Sequence, residues 1–244
     1  MNVKKLLFNN VISGGGDTPA PTAALITDSL YTHLDARDIH LKEWKDRTGN
    51  YTFTNSALMV GSRFDLNGKI AACSTLKLKS FPFTLEFTVT ITRTQMYGIL
   101  FSVTTTPSSF KICDRNNGYY GIYSNNIQPQ TLNECVSSSK VNDGKLHVID
   151  FVFVSNTELI VYLDGVKQSE NTSIVVSDTL LTLAGYKLGQ DHEYLVTGYL
   201  YSFRCYQKAL SQYEIRCNCL YEASQERTDV SSDAEQSYFL EKWN

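Results

Sequence analysis

The sequence predicts an all-β protein, an antiparallel two-sheet jelly-roll sandwich with one short C-terminal helix. Three observations carry this prediction. Charged residues are only 19% of the 244 positions while 15 Tyr and 12 Phe are present, and aromatic and β-branched side chains pack well on a pleated face. The segment Phe83-Thr84-Leu85-Glu86-Phe87-Thr88-Val89-Thr90-Ile91 alternates apolar and polar residues, the period of a strand that buries one face and wets the other. Turn signals recur at short intervals and helical periodicity is nearly absent, as in a sandwich.

Taken in order, residues 1–24 read as an amphipathic arm (Val3, Leu6, Leu7, Phe8, Val11, Ile12) followed by a linker. Gly14-Gly15-Gly16 makes that linker flexible, and Pro19 and Pro21 stiffen its far end. Two lysines before an apolar run begin like a signal peptide, but Asn9 and Asn10 cut the run short, so secretion by that route is not expected. Residues 25–221 form the predicted domain. Strands are expected at Leu58–Phe64, Phe83–Ile91, Tyr97–Val103, Phe110–Cys113, Tyr119–Tyr123, Thr179–Leu183 and Gly198–Tyr206. The runs His147–Val154 and Glu158–Leu163, divided by Ser155-Asn156-Thr157, read as a hairpin. Asp164-Gly165 tolerates positive φ and closes a second turn. Ser211 followed by Glu214 is a capping box, which starts a short helix over Leu210–Tyr221. Residues 222–244 form an acidic, Ser-rich tail whose end (Tyr238, Phe239, Leu240, Trp243) either docks onto a surface or is exposed.

Composition excludes several function classes. Net charge is −3 and no Lys/Arg patch stands out, so the electrostatic footprint of nucleic-acid binding is missing. No stretch approaches the roughly 20 apolar residues of a membrane span. The six cysteines (Cys73, Cys113, Cys135, Cys205, Cys217, Cys219) include no CxxC pair. Zinc sites favour such close ligand pairs, so free, partly buried thiols are expected instead. No G-x-S-x-G elbow, P-loop or G-x-G-x-x-G is present.

Several segments in order resemble the laminin-G-like members of the concanavalin A-like lectin/glucanase superfamily. His33-Leu34-Asp35-Ala36-Arg37-Asp38 and Trp44-Lys45-Asp46-Arg47-Thr48-Gly49-Asn50 are similar to that family's first strand and its W-x-D-x-[ST]-G-N turn. Asn142-Asp143-Gly144-Lys145-Leu146-His147 with Val161-Tyr162-Leu163-Asp164-Gly165-Val166 resembles its central hairpin, with Leu146 where the family often has Trp. Gly198 to Ser211 is similar to its last strand, leading into the short helix. The matches span about residues 31–221. Within them His147 is expected to bond neighbouring backbone, and Arg204, sharing a strand face with Tyr206, to tie loops together.

The resemblance, the arm and the Gly-rich linker imply an accessory protein of a bacteriophage particle. Such a protein is assembled in the host cytoplasm and located on the virion. It attaches to other virion proteins through residues 1–24 and displays a non-catalytic adhesion module to a host cell-surface glycan. A homo-oligomer is compatible with these features, and the alternative is a purely structural decoration protein of capsid or tail. The superfamily includes retaining glucanases, whose carboxylates stand about 5–5.5 Å apart. Their E-x-D-x-x-E-like run is absent here, with Glu86 and Asp150 each alone on its strand, so no catalysis is expected.

Sugar binding pairs an aromatic face with amide or carboxylate hydrogen bonds. The candidate ligand residues are therefore Asn116, Tyr119, Tyr120 and Tyr123 in one polar, Tyr-rich stretch and Tyr186, Asp191 and Tyr194 in another. Ordinary turn chemistry, with tyrosines straddling the core, is the alternative for both. Asp114, Asn116 and Gly118 follow the start of a calcium loop, but the later bidentate Glu is missing. No cofactor is expected, and calcium is worth a test.

Overall fold

The computed structural model describes residues 19–94, 98–103, 110–116, 118–123, 137–172, 176, 185–189, 195–225 and 241–243. The strands are β1 (Leu30–Asp35), β2 (Ile39–Lys45), β3 (Thr52–Gly61), β4 (Phe64–Asp65), β5 (Ile70–Cys73), β6 (Phe83–Thr94) and β7 (Ile99–Val103). They continue as β8 (Lys111–Asn116), β9 (Tyr119–Tyr123), β10 (Leu146–Ser155), β11 (Glu158–Leu163), β12 (Val166–Asn171), β13 (Tyr186–Gly189) and β14 (Val196–Tyr206). One helix, α1 (Gln212–Ser224), follows. The first sheet runs β1-β14-β6-β10-β11-β12, with β4 also on β14; the second runs β2-β3-β5-β13-β7-β8-β9. Every pairing is antiparallel.

The two sheets close over one apolar layer. Phe83, Phe87, Phe151, Phe153 and Phe203 of the first sheet meet Trp44, Phe53, Phe101 and Tyr186 of the second, all fully buried. Ring pairs such as Phe101–Phe203 (5.5 Å) and Phe83–Phe153 (4.4 Å) add geometric specificity to that burial.

The predicted hairpin is β10–β11, and its second turn has Asp164 at φ 53° and Gly165 at φ 74°, the paired positive φ of a type I′ turn. Expected Leu58–Phe64 resolves into β3 and β4, and Thr179–Leu183 lies outside the described residues. Asp46 explains the W-x-D-x-[ST]-G-N turn. Its carboxylate accepts the backbone N–H of His33 (2.6 Å), Thr48 (3.1 Å) and Asn50 (3.2 Å), while the Trp44 indole donates to the Asp35 carbonyl at 2.7 Å.

Three expectations need correction. The β6 alternation does not wet one face, because Thr84, Glu86 and Thr88 are all but fully buried. The reason is α1, which lies on the outer face of the first sheet. Its Ile215, Cys219 and Ala223, spaced four apart and so on one side, pack on Val148, Val152 and Tyr206. The capping box at Ser211 and Glu214 is present, but the helix runs to Ser224, past the expected boundary at residue 221. His147, finally, is held by carboxylates where neighbouring backbone was expected. Its Nδ1 and Nε2 each lie 2.9 Å from a carboxylate oxygen, of Asp164 and Asp143.

Of the termini, residues 1–18 and 226–240 lie outside the described residues. Residues 241–243 dock on the domain. The Trp243 indole N–H donates to the Asp164 carbonyl, and Lys242 Nζ pairs with Asp164 Oδ2, both at 2.6 Å. Cys73, Cys113, Cys205, Cys217 and Cys219 are free and buried. Among the described residues no helix is long and apolar enough to cross a membrane.

Candidate glycan-binding face

The outer faces of the two sheets differ. That of the first is sealed by α1 and the docked 241–243 segment. That of the second remains partly open, and strand register fixes what it presents. Directly paired residues share a face, so one row crosses the sheet as Thr54, Ala72, Lys187, Ser102, Lys111 and Tyr123. Thr54 is exposed, Ala72, Lys187, Lys111 and Tyr123 are half-buried, and Ser102 is 8% exposed.

At one end of this row lies a cleft of about 480 Å³ lined by Gly49, Asn50, Tyr51, Thr52, Thr54, Ala72, Ser74 and Thr75. Its lining is short, neutral and rich in hydroxyls. Thr52 and Thr54 belong there because alternate residues of β3 point outward while Phe53 and Asn55 point into the sandwich. Gly49 (φ 78°) turns the chain at the rim, and Tyr51 is held at the wall by a phenol–phenol hydrogen bond to Tyr31. Partial burial, then that contact, push the Tyr51 phenol above its ordinary pKa, so it acts as a neutral hydrogen-bonding group.

At the other end stand the predicted tyrosines. Tyr119 and Tyr123 are half-buried on β9 and share the outer face. The Arg115 guanidinium sits 5.1 Å from the Tyr123 ring centre, and the Lys140 ammonium 5.6 Å from that of Tyr119. Tyr120 and Tyr186 do not join them, and the expectation that they meet ligand is corrected. Both are 0% exposed; Tyr186 stacks on Phe101 at 5.0 Å and Tyr120 bonds Thr94 at 3.4 Å. Their phenols are pushed up by burial. For these two, tyrosines straddling the core is the better description. Asn116 ends β8, paired with Tyr119 through the backbone, and Asp191 and Tyr194 lie outside the described residues. Asp114 is buried and its Oδ2 accepts the Gly118 N–H at 2.7 Å, which closes the β8–β9 turn. Among the described residues no cluster of His, Cys, Asp and Glu could hold a metal.

The sequence left Glu86 and Asp150 solitary, and the fold does not. They pair directly across β6 and β10, and Glu86 pairs with Arg204 of β14 on its other side. Arg204 contacts Glu86 and also Glu222 of α1, so it ties sheet to helix rather than loop to loop. Asn218 donates to Glu86 Oε2 at 2.7 Å, and Ser202 to Glu222 Oε1 at 3.1 Å. Burial, then the neighbouring Glu86 charge, raises the Asp150 carboxyl well above its ordinary range. That shift favours the protonated form of Asp150, because a second carboxylate stands beside it in a dry site. One signal was available: Asn218 and Glu222, four apart on α1, form a polar stripe beside the apolar one.

The model of the concanavalin A-like lectin/glucanases superfamily matches residues 64–216, more than half of the chain. No curated protein matches it. Among solved structures, domain 4 of an extracellular arabinanase from Geobacillus stearothermophilus, in complex with arabinotriose, is similar at TM-score 0.56 and 17% identity, covering 77% of this chain and 97% of that one. Trypanosoma rangeli sialidase is similar at TM-score 0.57 and 16% identity, covering 80% of this chain and 33% of that one. The binding domain of botulinum neurotoxin serotype D/C is similar at TM-score 0.54 and 13% identity, covering 81% of this chain and 52% of that one. At these identities the likeness is one of fold.

Proposed function

The chain belongs to the concanavalin A-like lectin/glucanases superfamily, and from that membership we propose that it is a non-catalytic carbohydrate-binding module working through the outer face of its second sheet. The observation that carries this reading is the hydroxyl-lined cleft at Thr52, Thr54 and Ser74, continuous with the Lys187–Tyr123 row. A shallow polar trough suits a sugar chain, whose hydroxyls exchange hydrogen bonds with hydroxyls and amides. The arabinanase domain, solved with arabinotriose, lends support by its fold.

Burial supports the non-catalytic reading. The paired carboxylates Glu86 and Asp150 are 1% and 0% exposed beneath α1, so no glycosidic bond can enter between them. No cofactor is required by hydrogen bonding to a neutral trough. Display on a bacteriophage particle, with attachment to virion proteins through residues 1–24, rests on the composition of that arm.

The test is binding of the purified chain to host surface polysaccharides and a glycan array, with Thr54→Trp filling the cleft. Binding that the variant abolishes at unchanged melting temperature is expected. No binding to any glycan, together with particle attachment lost on deleting residues 1–24, would replace this reading with a purely architectural one.

A further inference from the structure

The face described above is not uniform along its length, and the gradient bears on the ligand. We propose that it takes an anionic saccharide, one bearing a carboxylate or sulfate, with the acid group held between Lys187 and Lys111 and the neutral portion in the cleft. This rests on the glycan-binding reading and adds the ligand's charge.

The position of the two lysines follows from register. Lys187 pairs with Ala72, which lines the cleft, and Ser102 separates Lys187 from Lys111. Neighbouring strands lie about 4.8 Å apart, so the two lysine backbones stand roughly 10 Å apart on one face. The short Ser102 side chain leaves a saddle between them. Among the described residues no carboxylate stands within ion-pair distance of either ammonium, whereas Lys167, Lys208 and Lys242 are each paired. Both lysines are half-buried, where water screens a charge less than on an open surface.

The tyrosines add to this. Stacking on a sugar needs an open aromatic face, yet the rings of Tyr119 and Tyr123 each lie beside a cation, Lys140 and Arg115. At that end the exposed Lys140 ammonium therefore adds positive charge beside the rings. The near carboxylate of the row is Glu43, which pairs with Thr54 in register at the opposite end and sits 4.0 Å from Lys45. The trough thus runs from neutral to cationic, and an acidic sugar fits that polarity.

The experiment is titration calorimetry of the full chain with polygalacturonate and heparin as acidic probes and arabinan and lactose as neutral ones. An acidic probe is expected to bind, more weakly as salt rises. Lys187→Gln with Lys111→Gln should weaken it about 10- to 100-fold, the span expected for charge-assisted hydrogen bonds, at unchanged melting temperature, while Lys187→Arg retains it. Acidic probes that bind the double variant as well as the parent would overturn the proposal, because the anion then sits elsewhere. Neutral probes that bind as well as acidic ones, and lose binding on Thr54→Trp, would overturn the charge preference and leave the glycan-binding reading intact. Failure of every probe would overturn both.

Discussion

Asp150 stands directly across from Glu86 on neighbouring strands, and both carboxyl groups are buried, 0% and 1% exposed. Arg204 pairs with Glu86 and, from α1, with Glu222, while Asn218 of the same helix donates to Glu86. A buried charge is tolerated only when paired and hydrogen-bonded, so the lid helix and the sheet hold each other in register.

This arrangement has a sign. The folded carboxyl of Asp150 is raised above its ordinary value, so its contribution is present at low pH and is lost as pH rises through the folded value. Asp150→Asn keeps a neutral donor and should hold stability within about 1 kcal/mol in mild acid, while flattening the loss that sets in as pH rises above the ordinary carboxylate range. Glu86→Ala leaves Arg204 with Glu222 as its remaining carboxylate partner and removes the acceptor of Asn218, and should cost about 3–5 kcal/mol. Urea unfolding across a pH series measures both; an unaltered slope in Asp150→Asn would contradict a raised Asp150 carboxyl.

His33 and His147, both buried, should bend the pH profile in opposite directions. At His147, burial opposes the charge, but Asp164 and Asp143 outweigh it and the pKa rises. Its contribution is full below about pH 6.5 and fades as pH climbs through the folded value. At His33, burial, then Arg204 and Arg47, push the pKa down to about 3, so its contribution is full above about pH 6.5 and fades as pH falls toward that value. His147→Gln should therefore destabilise most in mild acid, and His33→Gln should reduce the acid loss. Proton NMR titration of the two ring signals checks the assignment directly.

Gly165 has no room for a methyl group. A Cβ there would lie 2.8 Å from Arg216 Cγ and 2.9 Å from the Trp243 indole nitrogen, at φ +74°. Gly165→Ala should cost about 1–2 kcal/mol, part of it by expelling the 241–243 segment. Trp243 emission, read in a Trp44→Phe background, should move to longer wavelength. If it does not shift, residues 241–243 stay docked and the niche is not set by this glycine.

The thiols should be silent until the chain unfolds. Burial pushes Cys113 up to about 11 and Cys205 up to about 12, and only the thiolate reacts. A disulfide-exchange reagent at pH 8 should therefore label none of Cys73, Cys113, Cys205, Cys217 and Cys219 in the native protein, and all five in denaturant. Rapid native labelling of any of the five would mean that the sandwich opens locally.

Much of the first sheet was legible because its signals are local. The alternation of β6, the Asp164-Gly165 turn and the Ser211–Glu214 box each lie within a few residues, and hydrophobic period and φ preference act at that range. Of the predicted ligand residues, Tyr119 and Tyr123 do reach the open face, while Tyr120 and Tyr186 carry the same residue type into the core. Alternation separates the two groups only once the inward face of each strand is known.

By itself the sequence determined the class of fold, its turns and its terminal helix, since these depend on neighbours in the chain. Tertiary structure alone decided that Glu86, Asp150, Arg204 and Glu222 meet, and that Lys187 and Lys111 share a row with the Thr54 cleft. Strand order and register set those meetings between residues far apart in sequence. No short-range preference encodes them.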